Sequence, residues 1–152
     1  AYFASAGHER APGERAGFEG WVLETIEQVW NEFARKFLEL WRAGGTGDAY
    51  PVSLFAGERG AARLEAERQA YMQRLLTDTV GFAAAKTIRR IFGLAHNIDF
   101  ELIEDAKARA TSEARAVRLA RAMMVETEAF RTITDITGAA RKLRDWQPEL
   151  SS

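Results

Sequence analysis

The stretch VGFAAAKTIRRIFGLAH, residues 80–96, decides the fold, because it is almost entirely apolar and yet contains three cations and no carboxylate. On a helix, successive residues are turned by about 100°, so Lys86, Arg89 and Arg90 lie at i, i+3 and i+4 and share one face. The opposite face has residues of the core type: Ala84, Ile88, Ile91, Phe92 and Ala95. The sequence therefore predicts a helix that is buried over most of its circumference and carries positive charge along one narrow arc.

Two explanations account for this cationic arc of Lys86, Arg89 and Arg90. Arginine suits ligand binding because its planar fork is always charged and bonds carboxylates or phosphates bidentately. Neighbouring arginines on a helix splay roughly 100° apart, so they can hold a ligand from two directions. The alternative is structural: an acid such as Asp78 or Glu101, Glu104, or one on another helix, would pair with the cations, since an unpaired buried charge is costly. The spacing alone leaves both explanations open.

Helical periodicity extends upstream from this stretch. Apolar residues recur every three or four positions along a helix of about 20 residues, and they are Val22, Ile26, Val29, Trp30, Phe33, Phe37, Leu40 and Trp41. A second helix is predicted over residues 58–77, and the quoted stretch forms a third over residues 80–94. Residues 1–20 are predicted to be a loop or linker with a helical turn near residues 1–5, because glycine, alanine and proline are frequent in them.

The downstream part of the chain is predicted to contain two more helices. Asp99 is a candidate N-cap, and the long helix after it ends near residue 125. A short last helix begins near Thr132 or Thr134. No proline interrupts residues 52–147, and strand-like alternation is nearly absent. The chain is thus predicted to be all-α.

Composition limits the classes of function. A chain of 152 residues suffices for one domain with one core, and 47% hydrophobic with 28% charged residues is typical of a soluble globular protein. The net charge of −1 gives no overall attraction for nucleic acid or an anionic membrane, so neither partner is expected. The absence of cysteine excludes disulfides and fits the cytoplasm, as does the lack of a signal peptide or a membrane-length apolar run. Because the chain begins at Ala1 without methionine, we expect residues 1–152 to be a single-domain fragment.

Residues 78–105, DTVGFAAAKTIRRIFGLAHNIDFELIED, resemble a segment of the S-methyl-5-thioribose kinases. The resemblance covers about residues 1–143. The family has glycine where this chain has Ala84, which is expected to alter how closely this helix approaches its neighbour. Four more segments resemble the family in the same order and at similar spacing: SAGHE (5–9), WVLETIEQVWNEFARKF (21–37), YMQRLLTDTVGFA (71–83) and RATSEARAVRLAR (109–121).

The resemblance implies a fold and a reaction. Methylthioribose kinases have a two-lobed fold similar to protein kinases, choline kinases and aminoglycoside phosphotransferases. They transfer the γ-phosphoryl group of ATP, with Mg²⁺, to the 1-hydroxyl of methylthioribose in methionine salvage. By this likeness the chain is the helical C-terminal lobe segment of such an enzyme, which would be a homodimer. The N-terminal ATP-binding lobe and the catalytic loop are not in the sequence, so no catalytic residue or metal ligand is assigned and the chain alone is expected to be inactive.

The resemblance also implies roles for five residues. Arg89 and Arg90 match the family's twin arginines in the sugar-binding cleft, where they would bind ribose hydroxyls and stabilise charge near the transferred phosphoryl group. Lys86, Asp78 and His96 are candidates for residues that surround the two arginines and help to position them. Each has a plainer alternative: Lys86 reaches water or a structural acid, Asp78 caps a helix or pairs with the arginines, and His96 interacts with the C-terminal end of its helix.

Other features have structural explanations. Trp21, Trp30 and Trp41 occur at helical spacing, which favours a core or an interface over a stacking surface. Residues 109–121 contain four arginines, but Glu113 interrupts them and no aromatics are interleaved, so a solvated helix face or a subunit contact is predicted rather than a nucleic-acid site. Two other classes of protein remain: a stand-alone helical binding or dimerisation module without catalysis, and a purely structural bundle.

Overall fold

The computed structural model describes residues 1–44, 49–94 and 97–148, and every regular element in those ranges is helical, which confirms the all-α prediction. None of these helices is long and apolar enough to cross a membrane. The α-helices are α1 (Tyr2–Gly7), α2 (Ala16–Ala43), α3 (Gly60–Phe92), α4 (Ile98–Glu101), α5 (Ala106–Val125) and α6 (Ile133–Leu143), and short 3-10 helices lie at Val52–Phe55 and Thr127–Ala129.

α3 is one continuous helix of 33 residues where the sequence predicts two. The predicted break is wrong because nothing there ends a helix: no proline follows, and Gly81 costs only about 1 kcal/mol relative to alanine. The hydroxyls of Thr77 and Thr79 donate to the main-chain carbonyls four residues earlier, so both side chains are accommodated within the helix. The packing that holds the helix is a buried stripe at four-residue spacing: Met72, Leu76, Val80 and Ala84.

Two apolar clusters form the core, and α5 contributes to both. Because α5 packs against α1 and α3, it fixes the position of α3 relative to the rest of the chain. Ala84 has no exposed surface, so its methyl group is packed within the second cluster. The first cluster comprises Phe3, Ala4, Leu23, Phe100, Ile103, Ala116 and Ala140. The second comprises Leu76, Val80, Ala84, Ala120, Met123 and Phe130.

Residues 8–15 form the predicted loop, but nearly all the rest of the first 20 residues is helical and part of the fold, which corrects the prediction. α1 forms where a helical turn is expected, but it belongs to the core, since Phe3 and Ala4 are buried in the first cluster. α2 then begins at Ala16, and its Glu19 side chain is also buried. The apolar residues of α1 outweigh the loop-like composition because α5 offers them a surface to pack on.

The start of the long downstream helix also differs from the prediction. Asp99 is not its N-cap. Asn97 caps the short helix α4 by accepting a hydrogen bond from the Asp99 amide. Asp105 caps α5 by accepting a hydrogen bond of 2.6 Å from the Ala108 amide, and α5 ends at Val125 as predicted. The sequence offers several capping residues in this stretch, and only the packing of Phe100 and Ile103 selects among them.

The last helix begins as predicted. The Thr132 side chain and the Asp135 side chain each accept a hydrogen bond from the other's main chain, which is a capping box. The side-chain hydrogen bond from Thr132 lowers the pKa of Asp135, so the carboxylate form that completes the cap is favoured. The predicted inward face is confirmed by burial or partial burial of Ile133, Ile136, Ala140 and Leu143.

The apolar stripe of α2 is only partly covered. Phe37 stacks on Tyr71 of α3 with ring centroids 5.8 Å apart, and Trp41 contacts both Tyr71 and Tyr50. These rings join the C-terminal half of α2 to the N-terminal half of α3. Trp21, by contrast, is 59% exposed. The other exposed apolar residues of α2 are Phe18, Ile26, Val29, Phe33 and Leu40.

Candidate functional site

The cationic arc lies near the C-terminal end of α3, and all three of its side chains are exposed. Because Arg89 and Arg90 are turned apart around the helix, they border two different hollows. Arg89 borders a hollow of about 840 Å³, and Arg90 borders one of about 410 Å³. Lys86 borders both. The arc therefore lies between the two hollows, and each arginine borders one of them.

The Arg89 hollow is lined by residues of α3 alone. Asp78 and Lys86 border it together with Arg89, so three of the predicted site residues lie along one groove, and Phe82 lies beside them. Phe82 is 78% exposed, which leaves this side of the helix without packing. An open groove of this kind has charged and aromatic side chains available for a ligand or for another polypeptide segment.

The Arg90 hollow lies between α3 and the helices of the first core cluster. Val22 and Ile26 of α2 and Phe100 of α4 line it, and Thr87 adds a hydroxyl group. Mostly apolar walls with a few polar groups are typical of small-molecule sites. This hollow can therefore offer an apolar surface and a guanidinium group to the same ligand.

The structural alternative, in which nearby acids neutralise the arc, fails for two of its members. Within residues 1–44, 49–94 and 97–148, neither Lys86 nor Arg89 makes an ion pair with a carboxylate. Asp78 lies about three helical turns before Arg89 on one continuous helix, which separates their backbones by roughly 16 Å. The suggested pairing of Asp78 with the arginines is therefore wrong, and so is its role as a helix cap, since it lies within α3.

α3 is less buried around the arc than the sequence predicts. Ile88 and Ile91 are half-buried, but Phe92 is 71% exposed, so the expected burial of most of the circumference is wrong. The apolar content of this stretch exceeds what the neighbouring helices of the described chain cover. Ala95 and His96 lie outside the described residues, and the roles suggested for His96 stay predictions.

The helix that carries the arc ends at Gly93, where the backbone approaches too closely for a side chain. The Gly93 amide donates to the Arg89 carbonyl at 2.9 Å. A Cβ atom on Gly93 would lie 2.4 Å from that oxygen, a distance that real Cβ atoms do not show. We expect Gly93→Ala to lower the free energy of unfolding by about 1–3 kcal/mol, measured by chemical denaturation, because the last turn must shift.

Gly81→Ala is the matched control for this substitution. A Cβ atom on Gly81 would meet nothing within 4 Å, so alanine there should leave stability unchanged or raise it by up to about 1 kcal/mol. Equal denaturation midpoints for the two variants would contradict the steric account of Gly93.

The carboxylates of the described residues form ion pairs and caps rather than a metal centre. No group of three or more histidine, aspartate and glutamate side chains in the described ranges could hold a metal ion. Arg144 instead joins two acids, with Nη2 at 2.6 Å from Glu9 and Nε at 2.8 Å from Glu19. The hydrogen bond from Arg144 lowers the pKa of Glu9. This buried network ties the end of α6 to α2 and to the segment after α1.

The structure also reveals a polar cavity that the sequence analysis misses. Arg109, Arg118 and Arg121 are exposed, as the predicted solvated face requires, but Arg115 is only 5% exposed, which corrects the prediction for this one arginine. It lines a cavity of about 340 Å³ together with Arg144 and Ser112. The signal is present in the sequence, because Arg115 falls at helical spacing with the small residues that α5 buries: Thr111, Ser112, Ala116 and Ala120.

Comparison with known proteins identifies relatives along most of the chain, although no protein-family model matches it. The chain is 40% identical over 138 residues to Methylthioribose kinase 2 of Oryza sativa subsp. japonica, an alignment that covers 90% of this chain and 32% of that protein. It is 31% identical over 141 residues to the Methylthioribose kinase of Escherichia coli, covering 93% of this chain and 33% of that protein. The chain spans about a third of the length of these curated relatives.

The names of these relatives indicate the class of protein: by sequence, the chain is related to kinases. More narrowly, it is homologous to a part of the methylthioribose kinases, which confirms the resemblance found in residues 78–105 and the four other segments.

Proposed function

We propose that the chain is the helical C-terminal, substrate-binding part of a methylthioribose kinase. In the complete enzyme, whose lobes would be similar to those of choline kinases and aminoglycoside phosphotransferases, the γ-phosphoryl group of ATP would pass to the 1-hydroxyl of methylthioribose. This reaction would serve methionine salvage in the cytoplasm. The observation that carries the proposal is the identity of 40% across 90% of the chain to a protein of that name.

Arg89 and Arg90 are the proposed substrate-binding residues. Their exposure beside two hollows supports this role, because a guanidinium group that is not packed into the core can donate to a sugar hydroxyl or to a phosphoryl oxygen. Lys86 borders both hollows and Asp78 borders one, and these positions favour a secondary role for each beside the two arginines. His96 is proposed for the same role from its sequence position alone.

ATP and Mg²⁺ are proposed to bind mainly to parts of the enzyme outside these 152 residues. The described residues do not fit a metal ion, since they bring no three carboxylate or imidazole ligands together, and no step through the nucleotide is assigned to them. The partners proposed for this chain are therefore the N-terminal lobe and, in the complete enzyme, a second copy of the whole polypeptide.

The purified 152-residue chain is expected to form no ADP in a manner that depends on methylthioribose. The reason is that neither an aspartate base nor a nucleotide-binding lysine is assigned to this sequence, and phosphoryl transfer depends on such groups. A coupled assay for ADP, with and without the sugar, measures this. Sugar-dependent ADP formation by the chain alone would contradict the division of roles.

Co-expression with the remaining part of the polypeptide tests the function itself. The reassembled pair should form ADP when methylthioribose is present and should not do so with ribose alone at the same concentration. A folded pair that binds the sugar but never transfers phosphate would instead favour the alternative, a helical binding or dimerisation module without catalysis.

A further inference from the structure

We propose that the cavity between the end of α1, the first half of α5 and the segment after α6 binds a phosphate-type oxyanion. This cavity of about 340 Å³ shares no lining residue with the hollows beside Arg89 and Arg90. The proposal does not depend on the kinase function proposed above. The lining side chains that matter to it are Lys107, Thr111, Ser112, Arg115, Arg144 and Asp105.

The donors form a row along α5. Lys107, Thr111 and Arg115 are spaced by four residues, so they lie on one face at intervals of about 6 Å. Arg144 lines the cavity from the segment after α6, and Ser112 adds a second hydroxyl from α5. Ammonium, guanidinium and hydroxyl groups therefore surround one space from two parts of the fold.

Neither hydroxyl group makes a hydrogen bond within the described ranges, and that of Ser112 is buried. Thr111 is 8% exposed and Ser112 is 1% exposed. The Ser112 Oγ has no hydrogen-bond partner, and the Thr111 hydroxyl makes no hydrogen bond within the described ranges. Such a hydroxyl inside a helix ordinarily bonds the carbonyl four residues earlier. The threonines of α3 do so: Thr77, Thr79 and Thr87.

Arg115 is likewise only partly satisfied. It is 5% exposed, and its Nε donates to the Trp146 carbonyl at 2.8 Å. Its terminal nitrogens find no acceptor among the described residues. Burial and then the positive charge of Arg144 lower the pKa of Arg115, and the charges of Asp145, Glu19 and Tyr2 offset this only in part. An anion in the cavity would correct this.

The neighbouring carboxylates leave Arg115 without an ion pair, although the Glu19 Oε1 is itself buried without a hydrogen-bond partner. Glu9 and Glu19 bind Arg144, and neither forms an ion pair with Arg115. Asp105 lines the cavity, but its carboxylate accepts the Ala108 amide as the N-cap of α5. The Ser112 Oγ is a buried donor without an acceptor, and Thr111 and Arg115, which have further unbonded donors, line the same cavity, whereas buried polar groups in proteins are nearly always bonded. A tetrahedral oxyanion supplies acceptors in several directions and suits the arginine fork.

The experiment is a titration of the isotope-labelled 152-residue chain with inorganic phosphate, followed by amide chemical shifts at constant ionic strength. Saturable shifts of roughly millimolar affinity are expected at Gly7, Thr111, Ser112 and Arg115. Ribose 5-phosphate in a second titration distinguishes free phosphate from a phosphate monoester as the preferred ligand, and sodium chloride serves as the blank. Shifts with chloride equal to those with phosphate, or no saturable shifts with either phosphate compound, would overturn the proposal.

Three variants locate the site. Arg115→Lys should weaken phosphate binding roughly 10-fold or more, because it loses a charge-assisted fork. Lys107→Gln should weaken it by roughly 2- to 5-fold, and Arg109→Gln, an exposed neighbour that does not line the cavity, should have no effect. If Arg115→Lys does not fold, the comparison of Lys107→Gln with Arg109→Gln decides. Equal phosphate affinity in those two variants would show that the cavity holds only water.

Discussion

Replacing Arg144 with methionine is expected to lower the free energy of unfolding by about 3–5 kcal/mol, because it leaves a buried carboxylate without its cation. Glu19 is 6% exposed, and Arg144 is its ion-pair partner, at 2.8 Å. The same guanidinium binds Glu9, so one substitution releases contacts to α2 and to the segment after α1 together. Burial alone would lower the pKa of Arg144, but the hydrogen bonds that it donates to Glu19 and Glu9 outweigh burial and raise that pKa. Urea denaturation of the two proteins measures the difference.

Arg141→Met is the matched control, because Arg141 lies in the last turn of α6, three residues before Arg144. Arg141 is about half exposed and pairs with Glu27 at 3.3 Å, so its loss should cost at most about 1 kcal/mol. Equal losses for the two variants would contradict the special role of Arg144.

The pH dependence of stability is a second test of the ion pairs that Arg144 forms with Glu9 and Glu19. Because Arg144 lowers the pKa of Glu9, this carboxylate stabilises the folded state above its ordinary pKa of 4.5, and that contribution disappears as the pH falls through the lowered value. The Arg144→Met variant should therefore lose less stability than the original chain between neutral pH and acid.

Much of the helical architecture follows from the sequence because local rules decide it. The capping residues of α6 and the periodicity of α2 depend on neighbours within one or two turns, and both are confirmed in position. The start of α2 at Ala16 and the inclusion of α1 in the core are not predicted, since they depend on the surface that α5 presents. Composition near Pro12 correctly indicates a loop, but it does not reveal that Phe3 on one side of that loop is buried in the core.

The length of α3 shows where such local reasoning fails. A glycine and two threonines near Asp78 favour a break, yet each is individually compatible with a helix. Only the buried stripe against α5, which includes Val80, makes the continuous helix the better solution. The consequence for the site is direct, because a straight helix carries Asp78 too far from Arg89 to neutralise it.

Burial of polar residues is the other property that the sequence does not reveal. Arg109, Arg115 and Arg118 look alike in a charged helix, yet only Arg115 is buried. Its position relative to Ser112 and Ala116 carries the signal, but whether a helix face meets water or another helix depends on residues distant in the sequence. For the same reason, Phe92 is predicted to be a core residue from its type alone, although it is exposed.

Replacing Arg89 or Arg90 with alanine in the complete enzyme is expected to lower kcat/KM for methylthioribose roughly 10- to 150-fold. Each change removes a charged hydrogen bond to the substrate, worth about 1.5–3 kcal/mol. Steady-state kinetics measure this, with Arg109→Ala as a control that removes an exposed arginine from α5 and should leave kcat/KM unchanged.

The two arginines border different hollows, so their separate effects also locate the sugar. A loss in kcat/KM for Arg90→Ala alone would place methylthioribose between α2 and α3, against Val22 and Ile26, and a loss for Arg89→Ala alone would place it on the open face beside Phe82. Losses for both, with a double variant less impaired than the product of the single effects, would mean that one ligand spans the arc. Unchanged kinetics in both single variants would show that the cations have no part in substrate binding, whatever the family of the chain.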